Sequence, residues 1–133
     1  MASGMLTGHA VKMVGLPADH TYVTSSAGHI WNCNGRGAGG MAICVGSGNV
    51  DQADCLSNPL SHAGISYGIT GVCHQMANRI LYPAGQTVSR AQRYQWSCFM
   101  YGTYGKDPLT GGFYSPAHAP WPELTVCHTH THP

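Results

Sequence analysis

Residues 64–85, GISYGITGVCHQMANRILYPAG, read as a strand, a glycine turn and a helix, with one cysteine where the turn passes into the helix. Val72, Met76, Ala77 and Ile80 recur at three- and four-residue steps, so residues 72–81 are expected to bury one helical face. Thr70 or Gly71 would cap its start, and Pro83 and Gly85 would end it. Cys73 then falls in the first turn, where unpaired N–H groups and the positive end of the helix dipole favour an anion. A thiolate is a nucleophile, and the same N–H groups are placed to receive an oxyanion formed at a carbonyl. The competing reading of Cys73 is a buried structural thiol or one half of a disulfide.

A thiol nucleophile needs a base, most often an imidazole brought near in space. His74 is unsuited, because consecutive helical residues point about 100° apart. His20, in ADHTYVTSS (18–26), opens a β-prone run and is the first candidate; His29, in GHIWNC (28–33), is the second. If these runs pair antiparallel with Val23 opposite His29, a constant index sum sets Asn32 opposite His20 as an orienting amide. A slip of one residue would substitute Trp31 or Cys33.

Working outward, HTYVTS (20–25), GHIWNC (28–33) and GGMAICVG (39–46) are divided by SSAG and GRGAGG, the spacing of an antiparallel meander. Residues 47–64 are polar, broken at Asn58-Pro59, and read as a loop with at most one helical turn. A second helix is expected in TVSRAQRYQWSCFMYG (87–102), with Ser89 and Gln92 as a capping-box pair and Trp96, Phe99 and Met100 as its apolar side. YGTYG (101–105) is a candidate strand, and AHAPWPEL (117–124) reads as extended packing. At 133 residues the chain is expected to be one α+β domain, a small antiparallel meander against two or three helices, with a flexible tail at 127–133.

Composition narrows the function. Charged residues are 8%, against roughly 25% in an average domain, and the net charge is +1 with six Lys and Arg in all. No basic run offers a footprint for nucleic acid. No segment has the ~18 apolar residues of a membrane span, and the N-terminus lacks the pattern of a cleavable secretory signal. The chain is therefore expected to stay in the cytoplasm or to leave by a route that reads no such signal. No GK[ST] loop or C-x-x-C occurs, so no cofactor is called for and no metal site is assigned within the domain. Tyr22, Tyr67, Tyr94, Trp31, Trp96 and Trp121 are expected in core or rim packing. Arg36, in NGRGAGG (34–40), is either a ligand for a substrate carboxylate or an exposed turn residue.

A helix-borne cysteine against an antiparallel sheet that carries histidine and a polar orienter resembles the papain-like cysteine enzymes and, in size, the NlpC/P60 group of cell-wall peptidases. The histidine strand precedes the cysteine helix, which is similar to the circularly permuted branch of that group. The resemblance covers residues 18–100 and implies Cys73 as nucleophile, His20 as base and Asn32 as orienter. It implies a thiol peptidase or amidase acting through a cysteine thioester on a small or cell-wall peptide. A bacterial effector acting on peptidoglycan, with a proteinaceous inhibitor as partner, fits that pattern.

Two other functions compete. Cys33, Cys44, Cys55, Cys73, Cys98 and Cys127 are even in number, as in a disulfide-stapled binding module. The tail CHTHTHP (127–133) sets His128, His130 and His132 on one side of an extended chain beside Cys127, as in a metal chelator.

Overall fold

A computed structural model describes residues 3–57, 62–115 and Cys127. Four strands, β1 (Ser3–Lys12), β2 (Asp19–Ser25), β3 (Ile30–Asn32) and β4 (Met41–Asn49), form one antiparallel sheet in the order β3-β2-β1-β4. Helices α1 (Val50–Ser57), α2 (Cys73–Leu81) and α3 (Tyr94–Tyr101) complete an α+β fold. β1 to β3 are a meander, and β4 crosses over to the far side of β1. No helix of the described residues is long and apolar enough to cross a membrane.

The central strand is β1, which lies in a stretch that carries no β signal in the sequence reading. Its residues Gly4, Leu6, Gly8 and Ala10 alternate with Met5, Thr7 and His9. A Cβ at Gly8 would meet Cys44 Sγ at 2.7 Å and Leu81 Cδ1 at 3.1 Å, so glycine here lets α2 and its following turn lie close on the sheet. Leu6, Val23 and Trp31 pack with Met76, Ala77, Ile80 and Leu81 in one core.

Several expectations are corrected. Residues 64–72 are not a strand; they form a looped segment with one isolated bridge, Tyr67 to Gly71, because Gly64 and Gly68 take φ of +81° and +80°. The polar segment after β4 holds a full helix, α1, begun by Asn49 Oδ1 accepting the Gln52 N–H at 3.0 Å. YGTYG is the end of α3 and a turn, with Gly102 at φ +76°. The stretch 117–124, including Trp121, lies outside the described residues, as do Asn58-Pro59.

Helix α2 is the centre of the molecule, and all nine of its residues are buried. Its polar side chains hold three surrounding segments by hydrogen bonds. Gln75 accepts the Val72 N–H at 3.0 Å and donates to the Gly102 carbonyl at 3.0 Å, so Val72 rather than Thr70 or Gly71 stands at the helix start. Asn78 accepts the Val88 N–H at 2.8 Å and donates to the Thr103 carbonyl at 2.9 Å. Arg79 donates to the Tyr104 and Ala63 carbonyls, each at 2.7 Å. As expected, the helix stops near Pro83, with Gly85 capping the short 3-10 turn Tyr82–Ala84 at φ +66°.

Helix α3 faces the opposite way from its expected orientation. Tyr94, Ser97 and Tyr101 turn inward, and Trp96, Phe99 and Met100 are 63%, 79% and 51% exposed. Inward bonds decide this: the Tyr94 hydroxyl accepts from Asn78, Ser97 Oγ accepts from Gln75, and the Tyr101 hydroxyl donates to the Gly68 carbonyl. The Ser89/Gln92 capping box does not form; the Gln92 N–H goes to Asp19 Oδ2 at 2.8 Å, and α3 starts after Arg93 at φ +74°.

One disulfide, Cys55–Cys127, joins α1 to the C-terminal region, and Cys33, Cys44, Cys73 and Cys98 are free. The three-bridge arrangement of a stapled module is therefore not adopted. Cys127 is also unavailable as a thiolate metal ligand, and it is buried rather than part of a loose tail. His128, His130 and His132 lie outside the described residues. Among the described residues no cluster of three His, Cys, Asp or Glu side chains has the form of a metal site.

Candidate active site

Cys73 is the first residue of α2 and 5% exposed. Strand alternation turns Thr21 and Val23 toward α2. Thr21 Oγ1 is buried with no hydrogen-bond partner. Backbone groups of Thr21, Cys73 and His74 around the sulfur favour the thiolate, yet burial outweighs them and pushes the Cys73 thiol above its ordinary value. Cys73 thus rests as a neutral thiol, in contrast with the ready-ionised thiolate that its place on the helix suggests.

His20 opens β2 as expected and is 8% exposed. Its ring faces the other side of the sheet from Thr21, beside Tyr22 with ring centroids 6.5 Å apart. It reaches the sulfur's surroundings around the end of the sheet. There a cavity of about 240 Å³ is lined by His20 and Cys73 together with the end of β1, Tyr67 and the turn Asn34–Gly35–Arg36. Burial lowers the His20 pKa, and a hydrogen bond to the Arg36 backbone partly restores it. Nε2 is buried and has no hydrogen-bond partner, which leaves Nδ1 for the Arg36 carbonyl. A neutral ring held in this way leaves Nε2 buried and unpartnered on a residue that lines the same cavity as Cys73.

Three other imidazoles, those of His74, His9 and His29, are engaged elsewhere. His74 Nε2 donates to the Asp19 carbonyl at 3.1 Å and its Nδ1 lies 2.8 Å from Ser97 Oγ, so its role is structural. His9 Nε2 pairs with Thr24 Oγ1 at 2.8 Å. His29 sits 3.7 Å from Asp54 on α1 and edge-on to Trp31, away from the sulfur's cavities.

The expected register of β2 with β3 is two residues off. Tyr22 pairs with Asn32 and Val23 with Trp31, an index sum of 54. Asn32 therefore does not stand opposite His20; it lies against Gly37, whose Cβ would meet Asn32 Nδ2 at 2.9 Å. The turn is centred one residue later, at Ala27, with Gly28 at φ +92° and Ser25 Oγ accepting two N–H groups. The orienting contact to His20 comes from the Arg36 backbone, and the same index sum brings Asn34 level with His20 just beyond β3.

Tyr67 escaped the sequence reading as a site residue. Its hydroxyl is pushed up mainly by burial and next by the Cys73 thiol, which puts it within electrostatic reach of the sulfur. It also lines both cavities that open on Cys73. The one sequence signal for it was position, six residues ahead of the cysteine in a glycine-rich loop. Cys33, buried nearby, is pushed up to about 12 by burial and by Cys73, so it stays a neutral neighbour.

Gly35 is the tightest point of the site. A Cβ there would sit 2.5 Å from His20 Nε2 and 2.6 Å from Nδ1. Gly35→Ala is expected to displace the ring and lower the rate of Cys73 alkylation by iodoacetamide at least tenfold, at a stability cost of about 1–3 kcal/mol. An unchanged rate would show that the ring position is irrelevant to the thiol.

The chain matches no protein-family model, no curated protein and no solved structure.

Proposed function

We propose that the protein is a thiol hydrolase that cleaves an amide by acyl transfer through Cys73, with His20 as general base and acid. One observation carries this reading: His20, whose Nε2 is buried and unpartnered, and Cys73, at a helix start, line the same cavity. The papain-like and NlpC/P60-like order of histidine strand before cysteine helix is in keeping with it, within the α+β fold described above. The role assigned to Asn32 is not retained.

In the first half-reaction the Sγ proton passes to His20 Nε2, Sγ bonds to the carbonyl carbon, and the Cys73 and His74 N–H groups hold the oxyanion. The C–N bond then breaks as Nε2 returns its proton to the leaving nitrogen. Water attacks the thioester with Nε2 taking a proton, the S–C bond breaks, and the acid and the free thiol are released. The ordinary pKa values of cysteine and histidine, 9.0 and 6.5, already lie 2.5 apart, and both shifts here widen the gap. Forming the ion pair thus costs more than about 3.4 kcal/mol. Attraction between the two charges offsets part of that cost. The neutral resting pair is therefore compatible with the mechanism.

The pH profile follows from the two directions. Protonation removes the base, and because burial lowers the His20 pKa this occurs below 6.5; the thiol ionises unaided only above 9.0. The rate of Cys73 acylation by p-nitrophenyl acetate is expected to be level between these limits and to fall on the acid side with a midpoint under 6.5. A rate maintained down to about pH 4 would mean a preformed thiolate-imidazolium pair and would contradict the neutral dyad.

The direct test is labelling with an iodoacetamide probe at pH 7, with peptide mapping of the modified residue. Adduct at Cys73, slowed by about 10²-fold or more in His20→Ala, supports the dyad. Label on Cys44 or Cys98 with Cys73 inert removes it.

A further inference from the structure

Cys73 lines a second cavity, of about 410 Å³, whose lining does not include His20. Met13, Tyr67 and Cys73 are common to both cavities, so the sulfur stands where the two meet. The larger cavity is faced by Met13, Leu16, Trp96 and Met100, including two of the outward residues of α3. Several of its polar members have partners: Asp19 Oδ2 takes the Gln92 N–H, Arg93 Nε donates to the Pro17 carbonyl at 3.1 Å, the Tyr101 hydroxyl donates to the Gly68 carbonyl, and His74 and Ser97 bond to each other. A ligand there meets the hydrocarbon, thioether and indole of Leu16, Met13, Met100 and Trp96.

The smaller cavity differs. It is lined by Lys12, His20 and Arg36, with no carboxylate among its lining residues. Acyl-transfer chemistry assigns the two sides: the group that protonates the leaving nitrogen must lie on the leaving-group side of the sulfur. The amine half of the substrate therefore enters the His20 cavity, and the acyl half enters the apolar one.

We propose, on the basis of the hydrolase reading above, that the substrate is the amide of an apolar carboxylic acid with an amine that carries a carboxylate, that is, an N-acyl amino acid or a short peptide with a large apolar residue on the acyl side and a free carboxylate just beyond the scissile bond. A cell-wall peptide with charged groups on its acyl side fits the apolar cavity poorly.

The test uses the intact protein and N-alkylmaleimides from ethyl to octyl, with second-order rates of Cys73 modification read by mass spectrometry. The rate is expected to climb roughly two- to fourfold per added methylene, and the climb is expected to flatten in Trp96→Ala, a surface substitution. In parallel, N-octanoylglycine should protect Cys73 from iodoacetamide at concentrations at least ~10-fold lower than N-octanoylglycinamide, a carboxylate effect of ~1.4 kcal/mol, and Arg36→Ala with Lys12→Ala should erase the difference. A chain-length series that is flat at Cys73, or equally steep at Cys44 and Cys98, overturns the acyl assignment, and equal protection by acid and amide overturns the amine assignment. His20→Ala is expected to lower every maleimide rate by one factor and leave the slope intact. A missing His20 effect thus counts against the dyad, while a missing slope counts against the subsite.

Discussion

Cys73→Ala is expected to reduce hydrolysis of an N-acyl amino acid to the uncatalysed rate, a loss of at least about 10⁴-fold in kcat, with little change in melting temperature. The residue is small and sits at the helix start, so alanine keeps the backbone and removes the sulfur alone. His20→Ala is expected to cost about 10² to 10⁴, because the thiol is held neutral by burial and has no other free imidazole nitrogen in its cavity. The double variant should be no slower than Cys73→Ala, since the two act as a unit. Measured turnover in Cys73→Ala within tenfold of wild type, by release of the free amino acid, would eliminate the thioester route.

Arg79→Ala should produce the largest loss of stability of any single substitution on α2. Arg79 is 2% exposed, and its guanidinium donates to the Tyr104 and Ala63 carbonyls while lying 5.1 Å from the centre of the Tyr114 ring. Truncation leaves two carbonyls without these donors, at about 1–3 kcal/mol each, and empties a volume that neighbouring backbone is poorly placed to fill. The expected total is about 3–5 kcal/mol, within the range found when one partner of a buried charged contact is removed. For a chain of this size that is a fall of about 10 °C or more in Tm. Arg79→Lys should recover only a part, because one ammonium cannot reproduce two donors pointing to different loops. A loss under about 1 kcal/mol for Arg79→Ala, by urea titration, would show that the loops are held by other means.

The two predictions concern one helix and separate its duties. Its first residue carries the proposed chemistry, whereas Gln75, Asn78 and Arg79 tie down the segments around it. Those segments supply the remaining parts of the site. Gln75 fixes the end of α3, and α3 presents Trp96 and Met100 to the sulfur's larger cavity.

What was legible in the sequence was local. The apolar steps of 72–81, the stop at Pro83 and Gly85, and the β-prone runs that became β2, β3 and β4 are all encoded by neighbours a few residues apart, and so Cys73 at a helix start and His20 at a strand start were readable. Strand β1 was not, because a central strand whose partners must approach closely is built from Gly, Ser, Thr and Ala, which carry little β signal of their own. The inward face of α3 was hidden for a related reason: hydrophobicity pointed to Trp96, Phe99 and Met100, while hydrogen bonds with α2 and with the Gly68 carbonyl selected Tyr94, Ser97 and Tyr101. Only the tertiary structure set the β2–β3 register, gave the Arg36 backbone rather than Asn32 to His20, joined Cys55 to Cys127 and left Cys73 a neutral, buried thiol. Each of these depends on distances between segments remote along the chain, and periodicity along one segment carries no information about them.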